Sequence, residues 1–171
     1  DRRALARLLS LLDINDQTMA SISKAIHPHV GKSYCMGITG PPGAGKSTIV
    51  DCLIKLIRKD ELKIGVLAID PTSPFTGGAI LGDRIRMRNH YLDQNIFIRS
   101  LGTRGVRGGL SRTIGTAINL MSSFGFEIII VETVGVGQTE LDIMNVADTS
   151  VIVLVPESGD SIQTMKSGII E

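Results

Sequence analysis

Apolar positions along the chain follow two different spacings. Through residues 1–30 they recur every three or four residues. Leu5, Leu8, Leu9 and Leu12 make one stripe with Arg2, Arg3 and Arg7 off it, and Met19, Ile22 and Ile26 make a second. That spacing gathers apolar side chains on one side of an α-helix, so a helical hairpin packed on the core is expected, with 27–32 as a link. Short runs without alternation come next, at 34–39, 64–69, 96–98, 128–131 and 151–155. Between them helical spacing returns. Ile49, Leu53, Leu56 and Ile57 share a face over 48–59, and Leu110, Ile114, Ala117, Ile118 and Met121 share another. Asp160, with Gln163 three residues on, offers an N-cap for a last helix. Strands that are apolar throughout are buried on both faces, so the fold expected is α/β, a mostly parallel sheet flanked by helices.

The run at 34–39 leads into Gly40-Pro41-Pro42-Gly43-Ala44-Gly45-Lys46-Ser47-Thr48 and then the helical pattern. Strand, glycine-rich turn, Lys-Ser pair and helix in that order form a phosphate-binding loop. Glycines at 43 and 45 allow backbone amides to turn inward around phosphate oxygens, and the helix dipole points its positive end at the same place. Lys46 is expected on the β- and γ-phosphates and the Ser47 hydroxyl on Mg²⁺. The chemistry expected is nucleoside-triphosphate binding, with segment 40–48 as the cradle.

Ligands in parallel sheets bind beyond the carboxyl ends of the strands, which places two acids beside that loop. Glu132 closes the run 128–131 and Asp70 closes 64–69. Glu132 is expected to support Mg²⁺ directly or through water. Gly135, three residues on, lets an amide approach the γ-phosphate, and Gln138 follows. Asp70, Glu132 and Gln138 are each candidates to orient the attacking water. Positioning and charge neutralisation carry most of the catalysis in phosphoryl transfer.

Composition narrows the class further. The 171 residues suffice for one domain, with 43% hydrophobic and 20% charged residues. The net charge of +1 gives no bulk attraction for nucleic acid. No apolar run reaches the ~20 residues that span a bilayer, so no membrane partner is expected. Cys35 and Cys52 read as small buried thiols of a reducing compartment, and His27-Pro28-His29 as a linker. Glycine- and arginine-rich segments within 72–112 (Gly82 to Arg88, Thr103 to Leu110) sit where a γ-phosphate could order them. The chain begins at Asp1 and stops within a helical pattern at Glu171, so both ends read as cut, and any targeting peptide would lie outside it.

Taken together, GITGPPGAGKST, LAIDPTSPFTGGAILGDRIRM, FIRSLGTRGVRGGL and VETVGVGQTELDIMNVADT resemble the MeaB/MMAA family of cobalamin-associated GTPase chaperones, also known as ArgK or LAO/AO transport ATPases. The resemblance covers nearly the whole chain. It implies a P-loop NTPase of the SIMIBI type, with an N-terminal helical extension over 1–30 and the GTPase domain over 31–171. It also implies GTP as substrate, Mg²⁺ as cofactor, and homodimerisation when full length. The implied partner is methylmalonyl-CoA mutase or a related cobalamin-dependent acyl-CoA mutase, in bacterial cytoplasm or the mitochondrial matrix. Lys46 and Ser47 would hold phosphate and Mg²⁺, while Asp70, Asp83 and Glu132 would form an acidic magnesium and water shell. Segment 156–166 would correspond to a partner-sensing switch. The guanine-reading Asn-Lys-x-Asp of the family falls after Glu171, so GTP rests on the resemblance. The alternatives are an ATPase or kinase linked to lysine/arginine/ornithine transport, and a nickel-insertion GTPase.

Overall fold

The computed structural model describes residues 1–12, 16–70, 90, 92–102, 110–133 and 142–156. Its elements are α1 (Arg2–Leu11), α2 (Asp16–Ile26), a 3-10 turn at His27–His29, β1 (Tyr34–Thr39), α3 (Lys46–Ile57), β2 (Ile64–Asp70), β3 (Ile96–Gly102), α4 (Leu110–Ser123), β4 (Ile128–Thr133) and β5 (Thr149–Ile152). The strands form one five-stranded sheet in the order β3-β2-β4-β1-β5. Every described pair is parallel, as strands without alternation require. In register, Ile38 and Ala68 both stand beside Glu132, so β1, β4 and β2 end at nearly the same level.

In β1 to β4, odd- and even-numbered residues serve two separate cores. On one face Cys35, Leu67, Ile69, Phe97, Leu101, Ile129 and Val131 pack with α4 and with Leu5, Leu9, Leu12, Met19 and Ile22 of the N-terminal region. The N-terminal stripes therefore enter the same core as the sheet. Asp1 caps α1 by accepting from the Arg3 amide at 2.9 Å, and Arg99 on β3 donates to Ser10 Oγ at 2.6 Å. Gly65 leaves room for α4, since a Cβ there would fall 2.1 Å from Met121 Cε. On the other face Ile38, Ile64, Val66, Ile96 and Ile130 pack with Val50 and Ile54 of α3.

Several expectations shift, and β3 runs Ile96–Gly102 rather than 96–98 because it pairs with β2 along its whole length. The buried line of α3 is Lys46, Val50 and Ile54, and Leu56 is 58% exposed. The expected helical span 48–59 excludes Lys46, and with it the four-residue step that defines this line. The same rotation leaves Cys52 exposed, while Cys35 is buried as expected. Strand β5 covers Thr149–Ile152 rather than 151–155 because its partner β1 ends at Thr39, opposite Ile152. Beyond that rung only the Val153 amide still reaches the Thr39 carbonyl, at 2.8 Å. Among the described residues no helix is long and apolar enough to cross a membrane.

Candidate nucleotide site

The loop that leaves β1 is shaped by three glycines with positive φ, at 141° for Gly40, 79° for Gly43 and 89° for Gly45. They serve different ends. A Cβ on Gly40 would lie 2.2 Å from the Val153 carbonyl oxygen, so the root of the loop is pressed against the chain leaving β5. A Cβ on Gly43 or Gly45 would meet nothing within 4 Å. There the glycine supplies a left-handed backbone conformation rather than relief from a packing contact. Ala44 N–H closes the turn on the Pro41 carbonyl at 3.3 Å, and the Thr48 and Ile49 amides both reach the Gly45 carbonyl at 3.0 Å. Gly45 caps α3 without a side chain. The amides at the first two helical positions, Lys46 and Ser47, have no intrahelical acceptor by helix geometry and mark the positive end of the dipole.

Lys46 is only 6% exposed. Its ammonium donates to the carbonyls of Gly40 at 2.7 Å and Pro41 at 2.9 Å, which sets the positive charge over the loop itself. Ser47, one position on, donates its hydroxyl to Glu132 Oε1 at 2.6 Å. Glu132 lies on the α3 side of the sheet, 7% exposed, at the carboxyl end of β4. A carboxylate buried to that degree needs charge-assisted partners, because desolvating it alone costs several kcal/mol. Carboxylate and hydroxyl oxygens side by side beneath a phosphate loop are the hard donors that Mg²⁺ prefers. The residues present therefore fit both the triphosphate and the cation.

α3 is also fixed from outside. Arg58 Nε bonds Asp93 Oδ2 at 2.7 Å and holds that carboxyl below its ordinary range. Asp51 bonds Lys55, which holds its carboxyl down, and its other oxygen meets His90 Nε2 at 2.7 Å. Across the sheet, burial pushes the Cys35 thiol up to about 12.

Of the residues expected at the site, the structure brings Gly40, Pro41, Pro42, Gly43, Ala44, Gly45, Lys46, Ser47 and Thr48 into one loop and helix start, and sets Glu132 against Ser47. Asp70 is the last residue of β2, on the same sheet edge. Its side chain, and the whole of Asp83, Gly135 and Gln138, lie outside the described residues. Sequence reading gave no role to Thr39 or Thr133. Their hydroxyls meet at 2.9 Å directly behind the loop, both essentially inaccessible to solvent. The signal was present in their positions, each a polar residue ending an apolar strand, but the pairing of those strands was not.

A parallel sheet with this loop at its carboxyl edge defines the class, a P-loop NTPase domain. More closely, the chain belongs to the MeaB family, the methylmalonyl-CoA mutase-associated GTPases, whose family model matches residues 5–171. It is 55% identical over 171 residues to a Pyrococcus abyssi protein that carries the name GTPase, covering 100% of this chain and 53% of that one. The mouse mitochondrial methylmalonic aciduria type A homolog is 44% identical over 139 residues, 81% of this chain and 34% of its own length. The crystal structure of a LAO/AO transport system kinase superposes with a TM-score of 0.67 at 27% identity, over 90% of this chain and 45% of that one. The chain thus spans about half the length, or less, of the curated relatives it matches.

Proposed function

We propose that this chain is the nucleotide-binding portion of a Mg²⁺-dependent GTPase that supports adenosylcobalamin loading or protection of an acyl-CoA mutase, methylmalonyl-CoA mutase or a relative. The observation that carries the nucleotide half is the Ser47–Glu132 bond of 2.6 Å beside the buried Lys46. The family description supports the mutase half.

In this reading the amides from Gly43 to Ser47 grip the β-phosphate, and Lys46 meets the charge that develops on the β–γ bridging oxygen. Ser47 and Glu132 would hold Mg²⁺, which when bound neutralises charge shared between β- and γ-oxygens. Asp83 and Asp70 would complete that shell. The water that attacks the γ-phosphate is oriented by Asp70, Glu132 or Gln138, and Gly135 brings an amide to the γ-oxygens. Full-length protein is expected to be a homodimer in the mutase's own compartment, bacterial cytoplasm or mitochondrial matrix.

Calorimetric titration of the full-length protein with GTP and ATP, with and without Mg²⁺, tests the first half. GTP preference and a Mg²⁺ requirement lost in Ser47→Ala support the reading, and equal affinity for both nucleotides counts against it. The similarity to a transport system kinase favours one rival, an ATPase or kinase tied to amino-acid transport. That rival predicts transfer of the γ-phosphate to a cognate binding protein instead of to water.

A further inference from the structure

We propose that Thr133, acting through Thr39, is a positioning residue for triphosphate hydrolysis. The hydroxyl pair fixes the phosphate loop relative to the strand that carries Glu132. The inference rests on the nucleotide-hydrolysing reading above and adds to it residues that touch neither nucleotide nor metal.

The last rung of the β1–β4 ladder pairs Ile38 with Glu132. One residue further the backbone ladder has ended, at Thr39 on β1 and Thr133 on β4. At that point the Thr39 and Thr133 hydroxyls lie 2.9 Å apart, with exposures of 0% and 1%. Side chains thereby extend the pairing beyond the backbone ladder. The position is pinned from the other side too, where the Thr39 carbonyl accepts from Val153 N–H at 2.8 Å and Gly40 abuts the Val153 carbonyl. Successive strand residues face opposite ways. Glu132 therefore points to α3 and Ser47, and Thr133 points away from them, toward Thr39 on the α4 side of the sheet. Its influence on the site runs through one peptide unit to Glu132, and through Thr39 to Gly40, whose carbonyl holds Lys46.

A buried hydroxyl pair is a mutual commitment, because removing one partner orphans the other, whereas removing both is nearly neutral for stability. That asymmetry separates positioning from packing. The test compares full-length wild type with Thr133→Val, Thr39→Val, the double Val variant and Thr133→Ser, by denaturation midpoint and by kcat and KM for GTP and ATP. The double variant should recover most of the stability lost in the singles. Its kcat should stay about tenfold below wild type, with KM within about twofold, since misplacing groups by a fraction of an ångström costs rate before affinity. Thr133→Ser should restore kcat. If kcat follows stability through the series, or the double variant turns over as wild type does, the positioning role is overturned while the GTPase reading stands. If wild type hydrolyses neither nucleotide, that reading fails and this inference fails with it.

Discussion

Replacing Gly40 or Gly43 by alanine should separate the loop's packing from its chemistry. At Gly40 the new Cβ would stand 2.2 Å from the Val153 carbonyl oxygen, where real Cβ contacts stay beyond 3.0 Å. Both sides of that contact are backbone, so either the loop root or the chain after β5 must move by the better part of an ångström. The φ of 141° adds strain that alanine does not relieve. Overpacking and backbone strain together give a stability loss of about 2–5 kcal/mol. At Gly43 the φ is 79° and a Cβ meets no protein atom within 4 Å, so only the left-handed backbone is penalised, by about 1–2 kcal/mol. On the proposed nucleotide reading, that methyl would nevertheless crowd the amides expected to hold phosphate. Chemical denaturation of nucleotide-free protein should therefore rank Gly40→Ala well below Gly43→Ala in stability. Calorimetry should find triphosphate affinity lost at least tenfold in Gly43→Ala, about 1.4 kcal/mol. Wild-type affinity in Gly43→Ala would refute the placement of the phosphate. Equal stability of the two variants would refute the packing account of the loop root.

Lys46→Ala should abolish triphosphate binding by calorimetry, whereas Asp83→Ala should slow Mg²⁺-dependent hydrolysis more than it weakens binding. Leu9→Ala should cost about 2–5 kcal/mol in a urea titration, because Leu9 is fully buried in the core shared by α1, α4 and the sheet. A loss below about 1 kcal/mol would show the N-terminal helices to be dispensable packing. Peptide mapping after brief alkylation should find Cys52 modified and Cys35 protected, since burial keeps the Cys35 thiol protonated to about 12. Asp93→Asn should lose at most about 1 kcal/mol at neutral pH. The folded carboxyl titrates below its ordinary 3.8, so its contribution is present above that value and lost as pH falls through the lower folded one. The gap between Asp93→Asn and wild type should accordingly close in acid, and a gap that persists there would dissociate the effect from the Arg58 pair.

Period and punctuation made most of the sheet legible. The apolar runs that became β1, β2 and β4 carried their own burial, and each ended at a residue that breaks the pattern: Thr39 before Gly40, Asp70, and Glu132. The phosphate loop was legible because its glycines and its Lys-Ser pair have fixed chemical duties. What the pattern did not carry was information set by partners. Val50 and Ile54 became the buried line of α3 only because Lys46 belongs to the helix and sits under the loop. The limits of β5 were drawn by β1, and the Thr39–Thr133 contact exists only once β1 and β4 are neighbours. Strand order is non-local and has no signature in a single run of residues.

The most direct test of the central claim is hydrolysis of GTP and ATP by the full-length protein with Mg²⁺, each with and without a cobalamin-dependent acyl-CoA mutase. The account predicts slow turnover, selective for GTP and accelerated by the mutase. Turnover selective for ATP, or indifferent to the mutase, would contradict it.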